Sequence, residues 1–186
     1  KETNPRVGLL ALSTDLTIER DFNSICNNLP LDVFVNRIHN ENPLTKENLL
    51  KMYEQIQSIT EKILPGEKIN TIAYACTSGT IAIGEDKVKE KIQLAKPDCH
   101  VTTPITSAIK AFNKMNIKKI AVFTPYPESV NKTISEYLIK KNIEVTSFST
   151  FNLDLDVDFA RIDPKYLSEV LTNLNIKDAD ALFVSC

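Results

Sequence analysis

Two strand-like runs of this chain end on a cysteine, and the same succession of elements leads up to each. Thr71-Ile72-Ala73-Tyr74-Ala75 reaches Cys76, and Ala181-Leu182-Phe183-Val184-Ser185 reaches Cys186. Cys76 lies 64 residues after Leu12, the end of an apolar run from Val7; Cys186 lies 63 residues after Phe123, the end of a run from Ile120. Each interval holds a helical pattern, a strand pattern and a second helical pattern. The chain therefore reads as two copies of one βαβαβ unit, each delivering a thiol from its third strand. Near-continuous apolar runs such as Arg6–Leu12 mark strands covered on both faces. Alternating strands and helices then predict an α/β fold: two pseudo-symmetric βαβαβ lobes with open parallel sheets and a cleft between them. The predicted lobes span residues 1–116 and 117–186.

Ligands of open parallel sheets bind at the carboxyl ends of the strands. Ser13, Thr14 and Asp15, Cys76 with Thr77 and Ser78, Thr124 with Tyr126, and Cys186 all fall at such ends. After Cys76 the run Thr77-Ser78-Gly79-Thr80 reads as a tight loop opening into a helix. Backbone N–H groups at such a start are unpaired and ready for an anion. Their field also raises the thiolate fraction of a neighbouring thiol. One segment can thus supply a nucleophile or base together with a cradle for a carboxylate. The alternative is a buried, inert cysteine of the core.

Between these ends the pattern predicts helices over Ile18–Leu29, from a Thr45 cap to Ile63, over Glu85–Ala95, from Pro104, over Glu128–Lys141, and from an Asp163–Pro164 start. Cys26 and Cys99 are expected to be packing residues, and His39 a surface histidine. The Phe151–Arg161 connection carries Asp154, Asp156 and Asp158. It lacks the glycine and closing glutamate of a calcium loop, so a solvated loop is expected.

Composition narrows the function classes. A net charge of −2 over 186 residues offers no surface for nucleic acid or anionic membrane. No apolar run reaches the roughly 18 residues a spanning helix needs, and the opening residues show no signal-peptide pattern. The four cysteines form no Cys-x-x-Cys pair and no metal-ligand spacing with His39 or His100. Thiols in a reducing cytoplasm are expected, with a homodimer on general grounds. Gly-x-Gly-x-x-Gly, Walker and Gly-x-Ser-x-Gly signatures are missing, which argues against dinucleotides, ATP and serine hydrolysis.

With these residues in view, the chain resembles the aspartate/glutamate racemase superfamily. Within it the chain is most similar to the branch of maleate cis-trans isomerase, arylmalonate decarboxylase and the ectoine-utilisation protein EutA. The resemblance is carried by Arg6–Thr17, Tyr74-Ala75-Cys76-Thr77-Ser78-Gly79, Thr124-Pro125-Tyr126 with Asn131, and Val184-Ser185-Cys186. It implies a two-lobed fold and a small carboxylate substrate, with no metal and no organic cofactor. Cys76 is implied as a thiolate nucleophile adding to a double bond, and Cys186 as the residue handling the proton. In racemases the two matching positions exchange a proton on opposite faces of one carbon. Decarboxylases of the branch keep only the later cysteine, so the presence of both favours isomerase or racemase chemistry. A malonate-type decarboxylase and a non-catalytic metabolite-binding protein are the alternatives.

The implied substrate-binding residues are Ser13, Thr14, Asp15, Thr77, Ser78, Gly79, Tyr126 and Asn131. Tyr126 either binds a carboxylate or is a rim aromatic beside prolines. Maleate isomerases carry Ser-Asn-Thr where this chain has Asp15-Leu16-Thr17. Asp15 either caps the following helix or faces the cleft, where its charge would favour an ammonium- or amidinium-bearing, ectoine-type substrate. Lys1 is no initiator, and the second lobe stops on Cys186 where the resemblance implies a further loop and helix, so a fragment is expected.

Overall fold

A computed structural model describes residues 4–176 and 178–186. The apolar run Arg6–Leu12 forms β1, buried from Val7 to Ala11, as a strand covered on both faces must be. It pairs in parallel with β2 (Asp32–Ile38) and with β3 (Thr71–Tyr74), with Leu10 opposite Asn36 on one side and Tyr74 on the other. β4 (His100–Thr102) adds to β3, giving the order β2-β1-β3-β4. Parallel neighbours need crossovers. These are α1 (Ile18–Cys26), then α2 (Lys46–Lys51) and α3 (Tyr53–Glu61), then α4 (Thr77–Ile83) and α5 (Glu85–Ala95). Leu9, Leu10 and Ile72 of the sheet and Ile56 and Ile92 of the helices are almost wholly buried. Each such side chain contributes about 1.5–3 kcal/mol.

The chain divides into two compact units. One holds the chain up to Glu41 with Lys46–Ser107, the other Asn42–Thr45 with Ala108–Cys186. In the second unit β5 (Lys119–Thr124) runs parallel between β6 (Glu144–Thr150) and β7 (Ala181–Val184), giving the order β6-β5-β7. α6 (Pro104–Lys114) precedes β5, and α7 (Glu128–Lys140) buries Val130, Ile134 and Leu138 as its spacing predicts. α8 (Asp156–Phe159) and α9 (Pro164–Thr172) lead to β7, with Asp163 capping α9 through Lys165 and Tyr166 N–H groups. In both units the first strand of the repeat lies between the second and the third. The duplicated α/β architecture read from the spacing of the cysteines is thus present in the strand order.

Several expectations shift. α1 stops at Cys26 rather than Leu29, so that cysteine closes the helix instead of sitting within it. The helix expected through to Ile63 is interrupted at Met52, where Gln55 N–H bonds the Met52 carbonyl in a tightened turn. The acidic connection is not wholly a loop: α8 forms within it, and its Phe159 packs edge-to-face on Tyr126, 5.6 Å between centroids. The units divide after Ser107 rather than after residue 116. Phe112 of α6 meets Phe183 of β7 edge-to-face at 5.8 Å, which ties the helix to the second sheet. Cys99 is buried beside β4, and burial pushes its thiol pKa up, as suits a packing residue. The four cysteines form no disulfide with one another. Among the described residues no helix is long and apolar enough to cross a membrane, and no group of acidic, His or Cys side chains is arranged for a metal ion.

Candidate active site

The strand-to-helix junction after β3 is tighter than a loop. Ala75 N–H bonds the Leu10 carbonyl at 3.0 Å, and the helix begins at once, with Thr77, Ser78 and Gly79 forming its first turn. Cys76 is the N-cap, extended at φ −138° and ψ 112°. Its carbonyl accepts from Thr80 N–H and, at 2.6 Å, from the Thr80 hydroxyl. Its sulfur accepts from Gly79 N–H at 3.2 Å. Sulfur thus stands where a capping serine or aspartate oxygen would stand. An N–H donor there favours the charged form of a thiol. The Ser78 hydroxyl lies 3.7 Å from the same sulfur, and Cys76 is 5% exposed.

Residues two apart on extended backbone share a face, so Tyr74 and Cys76 point the same way. Tyr74 is wholly buried. Its hydroxyl donates to Met52 Sδ at 3.7 Å. Burial pushes the phenol pKa well above its ordinary range, and the neighbouring Cys76 side chain pushes it further. A β-carbon on Gly79 would lie 2.7 Å from the Tyr74 oxygen and 2.8 Å from both Cys76 Sγ and Met52 Cε. Only glycine leaves room for all three.

The loop after β1 leaves the carboxyl end of the neighbouring strand. The Ser13 hydroxyl donates to Asn40 Oδ1 at 3.0 Å, and Asn40 Nδ2 donates to the Thr14 hydroxyl at 2.8 Å. The Arg37 guanidinium holds the carbonyls of Leu12 and Asp15 at 2.9 and 2.8 Å while bonding Glu19. Asp15 takes the capping role: its Oδ1 accepts from the N–H groups of Thr17 and Ile18 at 2.8 and 2.9 Å.

In the second unit Ser185 N–H bonds the Phe123 carbonyl at 3.0 Å, the counterpart of the Ala75–Leu10 bond. Cys186 follows it as Cys76 follows Ala75. The loop after β5 is braced by Asn131, whose Oδ1 accepts from the Thr124 hydroxyl at 2.6 Å and whose Nδ2 donates to the Tyr126 carbonyl at 2.7 Å. Asn131 therefore sets the loop through both ends of its carboxamide. Tyr126 is 3% exposed, so it is no rim aromatic; its hydroxyl lies 3.4 Å from that of Ser185.

Thus Ser13, Thr14, Asp15, Cys76, Thr77, Ser78 and Gly79 cluster at the ends of β1 and β3, and Tyr126, Asn131 and Cys186 at the ends of β5 and β7. The sequence reading missed Arg37, Asn40, Met52, Tyr74 and Ser185 as supports. For Tyr74 a signal existed, its two-residue spacing from Cys76. For Met52 and Asn40 none did, since their partners are set by tertiary packing.

A duplicated parallel α/β unit with a cysteine two residues beyond each third strand, together with the matches that follow, places the chain in the aspartate/glutamate racemase-like superfamily. Residues 47–186 match the family model described as arylmalonate decarboxylase, and the chain belongs to that family. Maleate isomerase of Geobacillus stearothermophilus is 25% identical over 195 residues, covering 97% of this chain and 76% of the relative. A maleate isomerase variant of Pseudomonas putida S16, solved with maleate, superposes with a TM-score of 0.84 at 19% identity, over 96% of this chain and 76% of that one. A Nocardia farcinica maleate cis-trans isomerase mutant carrying a covalently bound succinylcysteine intermediate gives 0.85 at 17%, with the same two coverages. These two structural likenesses establish the fold.

Proposed function

We propose that the chain is a cofactor-independent cysteine isomerase acting on a small cis-dicarboxylate of the maleate type. The observation that carries this reading is the sulfur of Cys76, nearly buried at an N-cap and held by Gly79 N–H at 3.2 Å. In this reading the Cys76 thiolate adds to one alkene carbon, and the electron pair moves to the other, which takes a proton handled by Cys186. The former double bond is then single and rotates. Loss of that proton and expulsion of the thiolate return the trans alkene. Thr77, Ser78 and the N–H groups ahead of the first intrahelical bond are assigned to one carboxylate, and Ser13 and Thr14 to the same region. Tyr126 is assigned to the second carboxylate or to charge developing beside it.

An ectoine-type, cation-bearing substrate draws less support, because Asp15 Oδ1 is committed to backbone N–H groups. Decarboxylation of a malonate-type acid is the second reading, favoured by the family description. A cytoplasmic homodimer belongs to the same proposal.

Incubation with maleate and with substituted malonates in deuterated water, followed by proton NMR, tests the assignment. Appearance of the trans alkene is expected. Carbon dioxide release, or α-deuteration with the starting acid recovered, would instead mark a decarboxylase or a racemase.

A further inference from the structure

We propose that Tyr74 is the positioning residue of the Cys76 thiol: its buried hydroxyl rests on Met52 Sδ, donates to the sulfur once that sulfur is charged and, with Gly79 N–H, fixes where it sits. The inference deepens the isomerase reading, since it concerns the same sulfur, but it stands on geometry that is independent of substrate.

The oddity is a phenol where a phenyl ring would fill the space. Tyr74 is wholly buried, and a buried hydroxyl without a partner costs about 1–3 kcal/mol. The thioether of Met52, 3.7 Å away, is a weak acceptor. A thiolate is a strong one, because bonds to an ionised acceptor are roughly twice as strong as neutral ones. The hydroxyl therefore has a resting acceptor in Met52 and a better one in Cys76 once that sulfur is charged. Gly79 completes the arrangement: its missing side chain leaves the one volume on which the phenol oxygen, the sulfur and Met52 Cε converge. The phenol holds its proton firmly there, so it acts as a donor and not as a competing anion.

The test reads Cys76 alkylation by iodoacetamide across a pH series, with the Cys76 peptide quantified by mass spectrometry, in the whole protein. Tyr74→Phe should raise the midpoint of the pH–rate curve and slow alkylation near neutral pH about tenfold. Replacing Tyr74 by 3-fluorotyrosine, a stronger donor of nearly the same shape, should lower the midpoint. An unmoved midpoint in either folded variant overturns the proposal, and if Tyr74→Phe does not fold, the fluorinated protein decides alone. Shifted midpoints in a protein inert toward every dicarboxylate would keep the role of Tyr74 and discard the isomerase reading. Turnover with unmoved midpoints would do the reverse.

Discussion

The amide of Gly79 lies 3.2 Å from the sulfur of Cys76, and the carbon beside that amide has no room for a methyl group. Two opposing effects meet in Gly79→Ala. Helix propensity favours alanine by up to about 1 kcal/mol. Overpacking costs about 1–3 kcal/mol, and here the three atoms nearest the added carbon all fall under 3.0 Å. The clash wins. A lower melting temperature is expected, together with a fall in kcat/KM of more than about tenfold, because one displaced atom is the sulfur itself. An active, equally stable alanine variant would contradict the geometry.

Asn131→Ala removes the brace of the loop after β5. It leaves the Thr124 hydroxyl without its buried acceptor, at about 1–3 kcal/mol before relaxation, while the Tyr126 carbonyl keeps the Thr150 hydroxyl at 2.6 Å. Urea denaturation should show a clearly lowered midpoint, and Asn131→Asp, which sets a carboxylate oxygen against the Tyr126 carbonyl at a buried position, should not restore it.

Asp15 separates capping from recognition. Asp15→Ala should cost about 1 kcal/mol, the usual loss of a cap. Asp15→Asn retains the acceptor for Thr17 and Ile18 N–H groups, so stability should change little. Turnover of a dicarboxylate should hold or rise as the negative charge is removed, as kcat/KM for maleate would show.

Asp180 predicts one acid-side dependence. Its Oδ2 accepts from Lys118 and Lys119 N–H groups, both at 2.9 Å, and these bonds hold its pKa below the usual aspartate value. The folded form thus keeps the carboxylate charged where the unfolded chain has begun to take up protons. Its stabilising contribution is complete above the ordinary aspartate pKa and is lost as pH falls through the lowered folded value. Asp180→Asn should be less stable than the parent at neutral pH, with the gap closing as pH falls through that window in chemical denaturation.

The parts of the molecule legible from sequence were those set by local pattern. Arg6–Leu12 announces a central strand because nearly every residue is apolar, and Asp163-Pro164 announces a helix start because a cap and a fixed φ stand side by side. The paired cysteines were legible because a duplicated topology repeats its spacing. Met52 was not: it interrupts a well-patterned helix, and its side chain meets Tyr74 and the space beside Gly79 through tertiary packing of which sequence periodicity carries no trace. Asn40 and Arg37 were silent for the same reason, since they organise a loop 22 to 27 residues away. α8 was hidden by its acidic composition, which outweighed the one aromatic, Phe159, that docks it on Tyr126.

The central claim is that Cys76 is the nucleophile. It is tested most directly by incubating the Cys186→Ser protein with maleate and mapping the product by mass spectrometry. The account predicts one added maleic acid on the Cys76 peptide, its proton coming from the serine hydroxyl or water in place of Cys186, and none when Cys76→Ser is combined with it. An adduct on Cys26 or Cys99 instead, or undiminished turnover by Cys76→Ser alone, would contradict it.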